Sequence, residues 1–391
     1  MNRFKQTAIY ALMHAALWST YAVLLSFSSN FLYAQNFSGS QISLVLGLAT
    51  AASVILQLTV AERISRSRAG LLFLVPVAAG AVMLLSCGAM FTPTVGLAVA
   101  GFAAACCLLQ ILPGMVNSLG MSAIEKGAPV NYSIARGIGS LAYSAVSFLA
   151  GLLVAKHGHL MVPALTAVTV TALLAAVALF HFQVEGKLAT GGAETAQEPV
   201  KQGRFLRRHK AFVVFLVGSA LLYFNHNLIC NFMLQIMQGK GGGAGEQGTA
   251  NAIGALLELP AMFAFTWLLH VAGCDKWVRL SCAFFVLKAV AIYLAPTPQW
   301  VYLAQGFQMV GFALYSISSV NFVGALVGQG ETIRAQSYLA ATTALGSLAA
   351  MSTGGVICQY LGAQTMLLVA AASALLGMAF VMAAARQGKK A

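Results

Sequence analysis

The sequence predicts an all-α polytopic membrane protein of twelve spanning helices in two pseudo-symmetric six-helix bundles. Three observations carry this. The 391 residues are 59% hydrophobic and only 8% charged, whereas a soluble chain carries about a quarter charged residues. The apolar residues fall in runs long enough to cross about 30 Å of hydrocarbon as helices. The basic residues gather in alternate gaps between those runs, the pattern that sets membrane orientation.

In order, the runs cover approximately 8–32, 41–61, 69–91, 94–120, 131–155, 159–182, 210–237, 249–271, 277–296, 299–327, 333–361 and 363–385. Arg3 and Lys5 before the first run resemble a signal peptide. That run is too long for one and lacks a small-residue cleavage site, so it is the first span. Alternation suited to an outer-membrane barrel is absent.

With both termini inside, eighteen of the 22 Lys and Arg residues lie in inner segments. Lys156 and Lys240 alone are outside, and Arg136 and Lys288 lie within helices. The even helix count agrees. The expectation is a multi-pass protein of the cell (inner, cytoplasmic) membrane with both termini cytoplasmic. The net charge of +13 is spent on this topology. No basic stripe interleaved with aromatics or nucleic-acid module is present, so no nucleic-acid partner is expected. The seven cysteines show no CxxC and no Cys/His metal spacing, which makes them small buried residues and leaves no metal site.

The longest polar stretch, from about Glu185 to Lys210, is rich in Gly, Ala, Glu, Gln and Lys without periodicity. It reads as a cytoplasmic linker over 184–209 between an N-terminal bundle, 1–183, and a C-terminal bundle, 210–391. The halves share a signature. Gly139-Ser140-Leu141-Ala142 opens a helix ending near Gly158, and Gly346-Ser347-Leu348-Ala349 opens one ending near Gly362, an offset of 207. Span 5 thus matches span 11. A parallel six-helix repeat is the architecture of the major facilitator fold.

The segment Asn131-Tyr132-Ser133-Ile134-Ala135-Arg136-Gly137-Ile138-Gly139-Ser140-Leu141-Ala142-Tyr143 resembles the start of helix 5 in the lactose permease and nucleoside permease branch of the major facilitator superfamily. There an aromatic is followed by an Arg, then Gly-Ser or Gly-Cys, then an aromatic. Ile124-Glu125-Lys126 is similar to that branch, and Glu258-Leu259-Pro260 to its phenylpropionate-permease-like group. The resemblance implies a proton-coupled permease in which Arg136 and Tyr143 meet substrate. It also has departures. Ala61-Glu62-Arg63-Ile64-Ser65-Arg66-Ser67-Arg68 is a degenerate form of the superfamily's inner-loop motif. The His and Glu that couple protons on the lactose permease's helix 10 are matched here by Gln308 and Gly311, and its helix-4 acid by Asn117. Galactoside chemistry therefore does not carry over.

Of nine acids, eight lie in loops or at helix ends. Glu258 alone lies deep in a span, where an acid is costly and implies function. Lys288, in the next span, has similar depth and is expected to pair with it, so that an arriving proton releases the lysine. The bland alternative is a static pair joining two helices. Arg136 can act as a planar donor fork for substrate or snorkel to the interface. His226 shares a face with Tyr223, Asn227 and Asn231, which makes it a proton relay or a hydrogen-bonded histidine of the bundle.

Further faces combine Gln110 with Asn117, Gln305 and Gln308 with Tyr315, and His14 and Trp18 with Tyr21. They read as walls of a wet cavity for a neutral, hydroxylated or heterocyclic solute, or as interhelical hydrogen-bond glue. No His-Glu-x-x-His, P-loop Lys or pair of intramembrane acids is present, so no enzyme is expected. No cofactor is expected, and the energy source is a proton gradient. The expectation is alternating access by a monomer in the lipid bilayer, moving a small molecule by proton symport. Proton-driven efflux of apolar compounds, or a receptor that binds without transporting, are the alternatives.

Overall fold

The computed structural model describes residues 3–64, 68–125, 128–183, 202–327 and 332–387. Every element in these residues is helical. Hydrocarbon offers no hydrogen-bond partners, so a crossing backbone must satisfy itself.

The chain runs through α1 (Arg3–Leu24), α2 (Ser28–Ala34), α3 (Gly39–Ile64), α4 (Arg68–Phe91), α5 (Val95–Glu125), α6 (Tyr132–His157) and α7 (Met161–Gln183). It continues through α8 (Gln202–Arg208), α9 (Lys210–Asn231), α10 (Met233–Gln238), α11 (Ala244–Val271) and α12 (Cys274–Leu294). Last come α13 (Pro298–Ala304), a π turn (Met309–Ala313), α14 (Leu314–Val327) and α15 (Thr332–Gln387).

Ten of the described helical stretches are long and apolar enough to cross a membrane. One of these, in α15, is two spans: Gly362 sits at φ 83° inside it, a conformation that breaks a helix and that glycine adopts without penalty. The predicted span 299–327 is present as α13, the π turn and α14. These account for twelve. Large apolar side chains such as Phe73, Leu84, Leu97, Leu294 and Leu303 face outward, as lipid requires and water would penalise.

Three predicted spans are segmented. Span 8–32 divides between α1 and α2, where the Tyr21 carbonyl accepts from both Leu25 N and Ser26 N and Ser28 Oγ donates to Leu25 O at 2.8 Å. Span 210–237 divides at Phe232. Span 299–327 breaks after Ala304, where Gly306 N bonds Leu303 O and Gln308 N bonds Gln305 O, both at 2.9 Å, in three-residue turns. Of the predicted linker, 202–208 forms α8. Residues 184–201 lie outside the described residues, as do Arg66, Lys126, Lys389 and Lys390.

The chain divides into two compact units, one of Met1–Ser38 with Leu44–Gln197, the other of Gly39–Ser43 with Glu198–Ala391. Within each, the helix bearing the Gly-Ser-Leu-Ala repeat packs on the unit's first long helix. A Cβ at Gly139 of α6 would stand 2.6 Å from Trp18 Cδ1 and 3.2 Å from His14 O of α1. A Cβ at Gly346 of α15 would stand 2.8 Å from Tyr223 Cβ and 2.9 Å from Ala220 O of α9. Close backbone approach through small residues is how membrane helices associate without a hydrophobic drive. Both repeat helices end at a glycine with φ 83°, Gly158 and Gly362. The four-residue repeat is therefore the same joint built twice.

Lys240, after α10, donates to the carbonyl of Ala295 at the end of α12, at 2.5 Å. A cation suits a helix C-terminus. Half-burial holds its ammonium pKa below the ordinary lysine value.

Replacing Gly346 by Val is expected to lower the melting temperature of the detergent-purified protein, at a cost of about 2–3 kcal/mol. The obstruction is Tyr223 Cβ and the backbone of Ala220 and Phe224, none of which can swing aside. Gly80→Ala, where a Cβ meets nothing within 4 Å, is the control and should melt like the parent.

Candidate functional site

In the second unit the chemistry gathers around α11. Pro260, inside α11, has no N–H, so the helical hydrogen bond to Leu256 O, which spans Glu258, is missing. Glu258 is 9% exposed, Lys288 of α12 5% and Gln308 5%. The three form a chain: Lys288 Nζ donates to Gln308 Oε1, and Gln308 Nε2 donates to Glu258 Oε1 at 2.8 Å. The amide is oriented by charge, its carbonyl toward the ammonium and its N–H toward the carboxylate. The sequence paired Glu258 with Lys288 and gave Gln308 to substrate; the structure puts Gln308 between them.

The π turn begins directly after Gln308. Such turns insert a residue into a helix and re-aim its side chains. Here Phe312, within the turn, stacks on His226 of α9 with ring centroids 3.7 Å apart and planes 1° from parallel. Cys230 Sγ lies 3.6 Å from His226 Nε2. His226 and Cys230 are within electrostatic reach of Lys288, and Cys230 also of Glu258.

Other predicted members of these faces have local roles. Asn227 Nδ2 donates to its own helix at Tyr223 O, 2.8 Å, and Asn231 Nδ2 is buried without a hydrogen-bond partner among the described residues. The Tyr315 hydroxyl shares a 2.6 Å hydrogen bond with Ser219 Oγ. Its ring is fully buried among Phe215, Tyr223 and Phe285, so it is an interhelical tie inside the core. Gln305 is 3% exposed and turned onto Gly254 of α11. Asn225, which the spacing argument passed over, is 1% exposed and donates to Ala370 O at 2.7 Å, tying α9 to α15.

In the first unit the α1–α6 joint carries a second cluster. Asn131 caps α6, its side chain accepting from Ile134 N at 3.1 Å, which fixes where Arg136 emerges. The Arg136 guanidinium lies 4.0 Å over the Trp18 ring, a favourable cation–π arrangement. Its Nη1 donates to Ser140 Oγ at 2.8 Å. Tyr21 packs on Trp18 at 5.1 Å, and the Tyr143 hydroxyl meets Ser26 Oγ at 2.8 Å. His14 is held edge-on by Tyr10 and Tyr132, at 4.7 and 5.8 Å. Both His14 ring nitrogens and Trp18 Nε1 are buried without hydrogen-bond partners among the described residues. On α5, Gln110 donates to its own helix at Cys106 O, 3.2 Å, and Asn117 is half-buried. Among the described residues no three His, Cys, Asp or Glu side chains gather as a metal site.

The arrangement thus contains a buried charge chain in one unit and an aromatic–guanidinium surface with spare donors in the other. The double replacement Glu258→Gln/Lys288→Met is expected to be less destabilising than the sum of the singles, by about 1–3 kcal/mol in a double-mutant cycle. Gln308→Leu should cost about 2 kcal/mol. Additive singles, read by thermal unfolding, would mean that the chain does not couple them.

A family model described as the MFS_1 like family matches residues 3–369. No curated protein matches the sequence. Among solved structures, the chain is similar to the nucleoside transporter NupG, at TM-score 0.75 and 17% identity over 98% of this chain and 99% of that one. It is also similar to a point mutant of NupG, at TM-score 0.78 and 15% identity over 98% and 100%. A bacterial homologue of the iron transporter ferroportin, in an inward-facing state, matches at TM-score 0.72 and 15% identity over 98% and 100%. At these identities the likeness is one of fold.

Proposed function

The chain belongs to the MFS_1 like family, and from that premise we propose a proton-coupled symporter that moves a sugar, nucleoside or similar metabolite by alternating access. The observation that carries the coupling is the Lys288–Gln308–Glu258 chain. Buried intramembrane charges are kept only where they work, and this set can exchange one proton while every member keeps a partner. Glu258 is the proton acceptor, Lys288 its counter-charge and His226 the adjoining titratable group.

Substrate recognition is assigned to the α1–α6 surface of Trp18, Tyr21, Arg136 and Tyr143, with Gln110 and Asn117 on α5. Stacked rings and a planar cation suit a flat or hydroxylated solute, and the spare Trp18 and His14 nitrogens can meet its polar atoms. The nucleoside transporter among the structural neighbours agrees with that class. The protein sits in the cell membrane with both termini in the cytoplasm, as the basic residues require.

Glu258→Gln in proteoliposomes is expected to abolish accumulation against a gradient while leaving exchange of internal for external solute. Normal uphill uptake by that variant would remove Glu258 from the mechanism. For the substrate, a panel of sugars, nucleosides and aromatic acids is scored by thermal unfolding. A true ligand at about 100 times its dissociation constant should add about 2.7 kcal/mol of stability, and Arg136→Ala should erase the gain. Stabilisation by apolar cations alone would favour efflux.

A further inference from the structure

One face of α11 carries Gln247, Asn251, Gly254 and Glu258, separated by four, three and four residues. Such spacing stacks them along one side of the helix. At about 1.5 Å per residue the series spans roughly 16 Å. It starts in the first turn of α11 and ends at the charge chain. Gln247 is 1% exposed and Asn251 9%, so the polar groups face the unit's interior rather than lipid.

The facing wall is the segmented span after α12. Gln305 and Gln308 lie three residues apart in its irregular stretch. Gln305 lies over Gly254, where a Cβ would stand 3.4 Å from Gln305 Oε1. Gln308 reaches Glu258. The two walls thus offer a polar group at each successive turn.

Among the described residues, the donor Asn251 Nδ2 and the acceptor Gln305 Oε1 on this seam are buried without a hydrogen-bond partner. Asn251 lies three residues before Gly254 on α11, and Gln305 lies over Gly254 from the facing wall. A dry orphan costs about 1–3 kcal/mol. A donor and an acceptor that do not reach each other are both satisfied by water between them. A Cβ at Gly254 would meet Gln305 at ordinary contact distance, 3.4 Å from Oε1, so the absent side chain leaves a methyl-sized gap between the walls.

We infer that this seam is a water-filled proton path inside the second unit, leading from the start of α11 past Asn251 and Gln305 to Gln308 and Glu258. It rests on the reading that Glu258 takes a proton, and gives that proton a route separate from the α1–α6 surface. In the last step a hydronium gives its proton to the Glu258 carboxylate and becomes water, while Lys288 keeps its own proton and its bond to Gln308. The other titratable groups near Glu258 and Gln308, His226 and Cys230 from α9 and Lys288 from α12, come from other helices and do not form the seam.

The test uses the full chain in lipid nanodiscs and needs no substrate. Infrared difference spectra after a pH jump follow the carboxyl band that Glu258→Gln removes. Asn251→Leu and Gln305→Leu, which fill the gap with methyl groups, should slow that band's response at least tenfold while leaving its final amplitude. Asn251→Ser, which keeps room and polarity, should respond like the parent. Gly254→Val closes the same gap from the helix itself and replaces either leucine variant should one fail to fold. Parent-like rates in the leucine and valine variants would overturn the path while leaving Glu258 as the acceptor. Absence of any Glu258-dependent band in the parent would overturn both.

Discussion

Hydrocarbon supplies no hydrogen bonds, and the rest of this structure follows from that. It forces the crossing backbone into helices. It sends Thr20, Thr50 and Thr166 back to carbonyls one turn earlier on their own helices, at 2.9, 2.9 and 2.8 Å. It lets helices break only where the freed groups find a partner, as at Ser28, whose hydroxyl takes the Leu25 carbonyl. Against so strict a rule, an unpaired buried polar atom marks a place where something other than the chain is expected. His14, Trp18, Asn251 and Gln305 are such places.

The same rule makes the fold legible in the sequence. Hydropathy is a bulk property of about twenty residues, so the runs appeared without knowledge of any neighbour, and the described helices account for all twelve. The joint between repeats was legible through glycine. Gly139 and Gly346 are needed because the neighbouring helix, through Trp18 and His14 at the first and Tyr223 and Ala220 at the second, comes too close for a side chain, and Gly158 and Gly362 because φ is positive. The internal breaks were hidden. Whether Gly306 ends a helix or continues one depends on what receives the carbonyls around it, and that partner lies elsewhere in the chain.

The candidate site divides in the same way. Glu258 and Lys288 could be read from position alone, since a charge that many residues from either end of a span is deep wherever the span packs. Gln308 could not. An amide carries no charge to flag it, and bridging is a property of three helices at once. Tyr315 is the opposite case: its helical face was read from the spacing, and the structure adds that this face meets Ser219 and a ring of aromatics. His14 was legible as a member of the Trp18 face, yet only the structure shows both of its nitrogens buried and unspent.

An amide between two charges differs from a direct ion pair in one respect that matters for transport. In a direct pair each charge is the other's partner, and neutralising one leaves the other buried and alone, at a cost of several kcal/mol. With Gln308 between them, neutralising Glu258 leaves Lys288 its bond to the amide oxygen, and the amide N–H can still donate to a protonated carboxyl. Neither state is left with an orphan. Under the proposed coupling, a unit built this way can pass between charged and neutral forms without the helices having to separate first. The π turn begins directly after Gln308 and stacks Phe312 on His226, so the amide sits at the edge of a packed aromatic contact.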